Sequence, residues 1–215
     1  MKWKEAAIML LDPADRVIRE AAYVWRERYR IPTERSFSFR YPRGGALAGE
    51  VPLGFQPLGE GSLSFCELGT KLIVVSHGLP EGVALRRSIL GAGEFSKLLS
   101  VCGLEAVGLL AFKGCLLGKG TFLDRLVAHL SARHIGVGWL IGYKDVSRTQ
   151  TLIVDSPLSG LRTTGYEAIG TRDLILRDAR RKLPDEERVK IVKGNRFVVP
   201  PAGPSRRYTA CATWV

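Results

Sequence analysis

The sequence predicts an α/β fold: a three-layer sandwich on a mostly parallel sheet with helices on both faces, continuing into a partly antiparallel C-terminal portion. Three observations predict it. Short continuous apolar runs of strand length recur along the first two-thirds of the chain. Helical patterns lie between them, and connections that long suit parallel crossovers rather than tight hairpins.

The first apolar run, residues 6–11 (Ala-Ala-Ile-Met-Leu-Leu), reads as a strand buried on both faces and therefore central. Asp12-Pro13 is expected to supply an N-cap and a first-turn proline, after which Val17, Ile18, Ala21, Trp25 and Tyr29 repeat at helical spacing until Ile31-Pro32. Residues 36–40 alternate like a half-buried strand, and residues 42–62, rich in Gly and Pro, read as a loop or irregular hairpin. Residues 70–76 form the next buried strand, ending at His77-Gly78. Residues 94–102 follow as a helix with Phe95, Leu98, Leu99 and Cys102 on one face, closed by Gly103.

Residues 106–112 make a third buried strand that ends at Lys113-Gly114-Cys115. Thr121 and Asp124 form a T-x-x-D capping signal for a helix striped by Phe122, Leu123, Leu126, Val127 and Leu130, and residues 136–143 are a fourth strand. Beyond residue 146 the rhythm changes: residues 151–154, 173–177 and 189–199 look like strands, residues 178–187 are a weak helical candidate, and residues 200–207 look like a surface tail. The expected organisation is one domain over residues 1–215, a parallel core to residue 146 and an irregular C-terminal portion after it.

Composition fits a folded globular chain, with 46% hydrophobic and 25% charged residues among 215. No apolar run approaches the ~20 residues of a membrane-spanning helix, and the first residues do not read as an export signal. The four cysteines, Cys66, Cys102, Cys115 and Cys211, are too sparse for a disulfide scaffold and include no C-x-x-C pair. They read as free thiols in a reducing compartment, and no metal site is expected. The net charge of +11 is uneven, with 11 basic against 5 acidic residues between 172 and 207 and 10 against 6 in the first 43. A polyanion partner and solvated basic faces both fit that pattern.

In an open parallel sheet the carboxyl ends of the strands share one edge, and ligands bind there. His77 and Cys115 each follow directly on such an end, and a right-handed crossover between them makes the two strands neighbours. An imidazole beside a thiol is what cysteine nucleophilic catalysis requires, because the thiolate attacks and the imidazole takes or offsets its proton. Gly78 and Gly114 flank the pair and let the backbone approach a substrate and offer an N–H to a developing oxyanion. Lys119-Gly120 precede the helix N-terminus at Thr121, whose dipole favours an anionic group nearby.

The segment Val74-Val75-Ser76-His77-Gly78, followed 38 residues later by a hydrophobic strand running into Cys115, resembles the paired signature of clan CD peptidases. These are the caspases, gingipain-like and clostripain-like enzymes, CHAT domains and the self-processing cysteine protease domains of large bacterial toxins. Residues 109–143 are most similar to the toxin-processing group. The resemblance implies a caspase-like sheet and a cysteine endopeptidase with Cys115 as nucleophile and His77 as general base. It also implies an oxyanion hole from the backbone N–H groups of Gly78 and Cys115. Asp145 falls where such enzymes shape the pocket for the residue before the cut. Arg180, Arg181, Lys182, Lys190, Lys193 and Arg196 correspond to a region that binds an inositol polyphosphate activator in the toxin group; no other cofactor is implied. The implied substrate is a protein or peptide, including the chain's own parent, acted on in a cytoplasm or in a host cytosol after delivery. The spacing is shorter than the ~50 residues of caspases. Phe112-Lys113-Gly114 stands where caspases carry Gln-Ala, so their preference for aspartate is not carried over.

Other readings compete. An inactive caspase-like module serving in binding predicts a sealed or misaligned pair, and a nucleic-acid-binding domain rests on charge alone, without interleaved aromatics. An α/β-hydrolase lacks its G-x-S-x-G elbow. His129 and His134 read as surface or cap residues of the fourth-strand-flanking helix, Cys102 as core, and Cys66 and Cys211 as inert thiols.

Overall fold

The computed structural model describes residues 3–40, 51–85, 88–145 and 189–199, together with the backbone of four short strands between 147 and 175. An inner strand is β1 (Glu5–Leu10), whose Ala7 and Met9 face one side and Ile8 and Leu10 the other, all fully buried. A strand apolar on both faces must be sandwiched, and β1 is: β2 (Ser36–Ser38) and β4 (Thr70–Val75) flank it, both parallel. β8 (Ala106–Phe112) adds to β4 and β9 (Gly136–Tyr143) to β8, again parallel. β3 (Gln56–Pro57) extends the sheet beyond β2, and β14 (Val189–Lys193) closes the other side antiparallel to β9. Among the described residues this gives seven strands in the order β14-β9-β8-β4-β1-β2-β3. The predicted α/β sandwich with a mostly parallel sheet is the observed architecture.

The alternation of side chains in β1 and β4 separates two helical layers. α2 (Ala92–Val101) and α3 (Phe122–Ala132) cover one face, where Phe95, Leu99, Leu123, Leu126 and Leu130 pack with Leu72, Val74, Leu110 and Phe112. α1 (Arg16–Tyr29) covers the other, laying Ile18, Ala22 and Trp25 on Ile8, Leu10, Ile73 and Val75. Burying each such side chain is worth roughly 1.5–3 kcal/mol, so both layers are held chiefly by this apolar contact. Further along that face, Leu109, Ala111 and Trp139 pack with Trp3, Ile191 and Val198.

Several expectations are corrected. The N-cap of α1 is Asp15, not Asp12: Asp15 has extended backbone and its Oδ1 accepts from the Ile18 N–H at 3.0 Å, while Asp12-Pro13 forms the preceding turn. The T-x-x-D signal at α3 makes no side-chain capping bond, because Asp124 turns outward to form an ion pair with Lys190 of β14. β2 is wholly rather than half buried, with Phe37 in the main core cluster and against Phe65. The loop after it carries β3, which is parallel to β2 and so not the arm of a hairpin.

The strand of the main sheet does end just before His77, at Val75, but the segment that follows is not a simple loop. It continues as β5 (His77–Leu79), β6 (Gly82–Leu85) and β7 (Ser88–Leu90), a three-stranded antiparallel sheet that projects from the main one before α2. In the C-terminal portion β10 (Ser147–Thr149) pairs with β13 (Asp173–Ile175), and β11 (Leu152–Asp155) with β12 (Thr164–Glu167), antiparallel in both cases. The predicted helix over 178–187 lies outside the described residues.

Candidate active site

β4 and β8 are direct neighbours, with Val74 opposite Phe112, so their carboxyl ends deliver His77 and Cys115 to adjacent points of one rim. The two loops touch. A Cβ on Gly78 would overlap the Cys115 carbonyl oxygen, and one on Gly114 would lie 3.2 Å from the Gly78 nitrogen. Glycine is therefore required on both sides of this contact, and the two N–H groups expected to face an oxyanion, those of Gly78 and Cys115, belong to segments packed on one another.

His77 is half exposed, and its Nε2 lies 3.2 Å from Oδ2 of Asp15. Sequence reasoning missed this carboxylate. Its two oxygens are divided: Oδ1 caps α1 through Ile18 and Oδ2 holds the imidazole. Partial burial pushes the Asp15 carboxyl up, but the Ile18 N–H, His77 and the Val17 N–H together outweigh it and set it below its ordinary 3.8. A carboxylate on Nε2 fixes the tautomer that carries its proton there and directs Nδ1 away, as an acceptor. The only signal for Asp15 in the sequence was a capping residue within reach of the sheet edge, and Asp12-Pro13 offered a more familiar version of it.

The backbone around Cys115 is sharply turned. Leu116, the next residue, adopts a left-handed conformation at φ 59°, which costs a non-glycine residue roughly 1–2 kcal/mol. The turn is held from the end of β9 and the residues just after it: the Gly118 N–H donates to the Tyr143 carbonyl at 2.7 Å and the Leu116 N–H to the Asp145 carbonyl at 3.3 Å. Asp145, expected to line a substrate pocket, thus sits one backbone hydrogen bond from the residue after Cys115, with its side chain partly buried. Beside it, Lys113 donates to the Tyr143 hydroxyl at 2.9 Å, and its ammonium stands 3.8 Å from the centre of the Trp25 ring.

The thiols divide clearly. Burial pushes Cys66 up to about 12, assisted by Glu5 and opposed by Arg35, and burial alone pushes Cys102 up to about 11. Cys115 is partly exposed. Cys211 lies outside the described residues. His129 lies part-buried against Gly93, and His134 is exposed at the turn after α3.

The expected basic cluster is not gathered by the described residues. Arg180, Arg181 and Lys182 lie outside them. Lys190 pairs with Gly142 near the carboxyl end of β9 and spends its ammonium on Asp124 and the Gly120 carbonyl. Lys193 is exposed opposite Trp139, and the Arg196 N–H bonds the Val137 carbonyl. At ~3.3 Å per residue this puts Lys190 and Arg196 roughly 16 Å apart along the strand. Among the described residues no group of three His, Cys, Asp or Glu side chains is arranged to hold a metal ion.

No protein-family model matches this sequence, and no curated protein matches it. The reading of the site therefore rests on its own geometry.

Proposed function

We propose that the chain is a cysteine endopeptidase of caspase-like type, with Cys115 as nucleophile, His77 as general base and Asp15 as the group that orients His77. The observation that carries this reading is the Asp15–His77 pair beside the Cys115 turn. A carboxylate on Nε2 leaves Nδ1 as the basic nitrogen, and His77 and Cys115 stand at neighbouring strand ends whose glycines pack together.

In the reaction Nδ1 of His77 takes the thiol proton as sulfur bonds to the carbonyl carbon of the scissile peptide. The resulting oxyanion is met by the N–H groups of Gly78 and Cys115. Collapse of this intermediate breaks the C–N bond, and the proton on Nδ1 leaves with the amine. Water then attacks the thioester, giving its proton to Nδ1, and the acid product departs as Cys115 regains a proton. Asp15 stabilises the imidazolium in each half-reaction without itself being protonated.

The test is a peptidyl acyloxymethyl ketone, which alkylates a thiol only where a peptide binds beside it, with the adduct mapped by mass spectrometry. Labelling of Cys115 that is abolished in His77→Ala is the expected result. Labelling of other cysteines with Cys115 untouched, or an absence of labelling by any such probe, would sink the reading and favour an inactive binding module.

A further inference from the structure

β5 opens with His77 and, with β6 and β7, forms the small antiparallel sheet beside the rim. In such a sheet directly opposed residues share a face, and successive residues of one strand alternate between faces. The registers place His77 opposite Ala84 and Ala84 opposite Ile89, while Gly78, Val83 and Leu90 form the neighbouring row. Val83, Leu85 and Leu90 pack on the core cluster under α2 and α3, and Val83 is fully buried. His77, Leu79, Ala84 and Ile89 therefore share the opposite, outer face.

Ile89 is 48% exposed, and among the described residues it is the one exposed large apolar side chain on the sheet that carries His77. Its side chain lies back over the sheet, since a Cβ on Gly82 would come within 3.1 Å of Ile89 Cγ2. Leu79 and Ala84 are partly exposed beside it. The outer face is thus an apolar shelf, with the small residues Gly82 and Ala84 along its middle and Leu79 and Ile89 at its two sides. At about 5 Å between opposed side chains, it extends roughly 10 Å from His77 to Ile89.

We infer that this shelf binds the peptide on the amine side of the scissile bond and selects an apolar side chain there; this rests on the reading of His77 and Cys115 as a catalytic dyad. The physical reason is the route of the proton. His77 takes it from the thiol and delivers it to the departing amine, so that nitrogen has to come within hydrogen-bonding reach of the imidazole. The acyl half of the substrate stays on Cys115, and the amine half is the one that lies toward His77. The row of Ala84 and Ile89 begins there. An extended peptide advances ~3.3 Å per residue, so the shelf has the length of the first three residues after the cut. Leu79, Gly82, Ala84 and Ile89 offer neither charge nor side-chain hydrogen bonds, and covering half-exposed Ile89 with an apolar group removes both surfaces from water.

The test is cleavage of a randomised synthetic peptide library, with the products sequenced by mass spectrometry. It is run beside labelling of Cys115 by the acyloxymethyl ketone, whose peptide occupies only the acyl side. The wild type should cut with Leu, Ile or Phe enriched ~5–10-fold within the three positions after the cut, the effect of burying one to two methylenes. Ile89→Ser should lose that enrichment while the residues preferred before the cut stay the same, and Ile89→Asp should replace it with Lys and Arg. Ketone labelling shows that each variant keeps an intact site; should either fail to label, Ile89→Ala takes its place. No apolar enrichment after the cut in the wild type, or enrichment that survives in the Ile89 variants, would overturn the shelf. So would labelling of Cys115 with no library peptide cut, and so would loss of labelling in every Ile89 variant, which would assign the residue to the acyl site or to the fold. If the ketone leaves Cys115 of the wild type untouched, the dyad is what fails, and the inference falls with it.

Discussion

The two faces of the central sheet are built to different ends. The face under α2 and α3 is closed and apolar, with Phe95, Phe112 and Phe122 in mutual edge and tilted contact at 5.5–6.3 Å. The face under α1 is apolar only beneath the helix body; at the carboxyl edge it turns polar, with the Asp15–His77 pair and with Lys113 set between Trp25 and Tyr143. One face supplies rigidity and the other holds ionisable groups at the rim. The comparison teaches that a rim can be polar and half exposed while the turn that carries Cys115 is anchored in the opposite, dry layer.

Substitutions on each side should separate these contributions. The largest effect is expected from His77→Ala, which should lower peptide turnover by ~10²–10⁴-fold while leaving the thermal midpoint within a degree or two. Steady-state kinetics beside a melting curve check it, and a large drop in midpoint would show that the rim is structural after all. On the dry face Phe95→Ala should do the reverse. It should cost about 3–5 kcal/mol in a denaturant titration, with turnover per folded molecule nearly intact.

Asp15→Asn sharpens the contrast, because asparagine caps a helix about as well as aspartate. Stability should change by only a few tenths of a kcal/mol. Turnover should fall by ~10–100-fold, the rate equivalent of one charged hydrogen bond. With wild-type protein the pH dependence has a definite sign. The Asp15 carboxyl lies lower in the folded chain than its ordinary 3.8, so its contribution to stability is fully present above that value and is lost as pH falls through the lower folded one. An acid titration of the wild type should therefore lose stability that Asp15→Asn does not. Identical acid slopes for the two proteins would contradict the assignment.

Thiol reactivity gives a smaller, qualitative difference. At pH 8 a disulfide reagent should modify Cys115 well before Cys66 and Cys102, which burial holds at about 12 and about 11. Peptide mapping after brief exposure decides it. Least of all is expected from Lys190→Ala: its ion pair with Asp124 is partly exposed, so the loss should be ~0.2–1 kcal/mol, and smaller still in high salt.

The sheet was legible in the sequence because its strands are buried on both faces, and continuous apolar runs such as residues 106–112 leave little ambiguity. His77 and Cys115 were legible for the same reason, because each stands within three residues of the end of such a run and beside a glycine. What escaped was set by contacts between distant segments. β5 to β7 are short, and their pairing depends on where the chain can turn back rather than on periodicity. Asp15 lost to Asp12 because local pattern favours Asp-Pro as a helix start, whereas the actual cap is selected partly by an imidazole 62 residues away. The Thr121–Asp124 signal failed in the opposite direction, since a lysine from the last described strand took the carboxylate that a local capping bond would have used.

Asp15 carries one last consequence. Because one carboxylate both starts α1 and seats His77, the chemistry cannot be lifted out as a pair of loops. A transplant of the His77 and Cys115 segments onto another parallel sheet would arrive with an unoriented imidazole unless it also brought the first turn of α1 at the same height above the rim. In modular terms the smallest portable unit spans the ends of β1, β4 and β8 together. Drift in the length of the turn between Leu10 and Arg16 would alter the seating of His77 before it altered the helix.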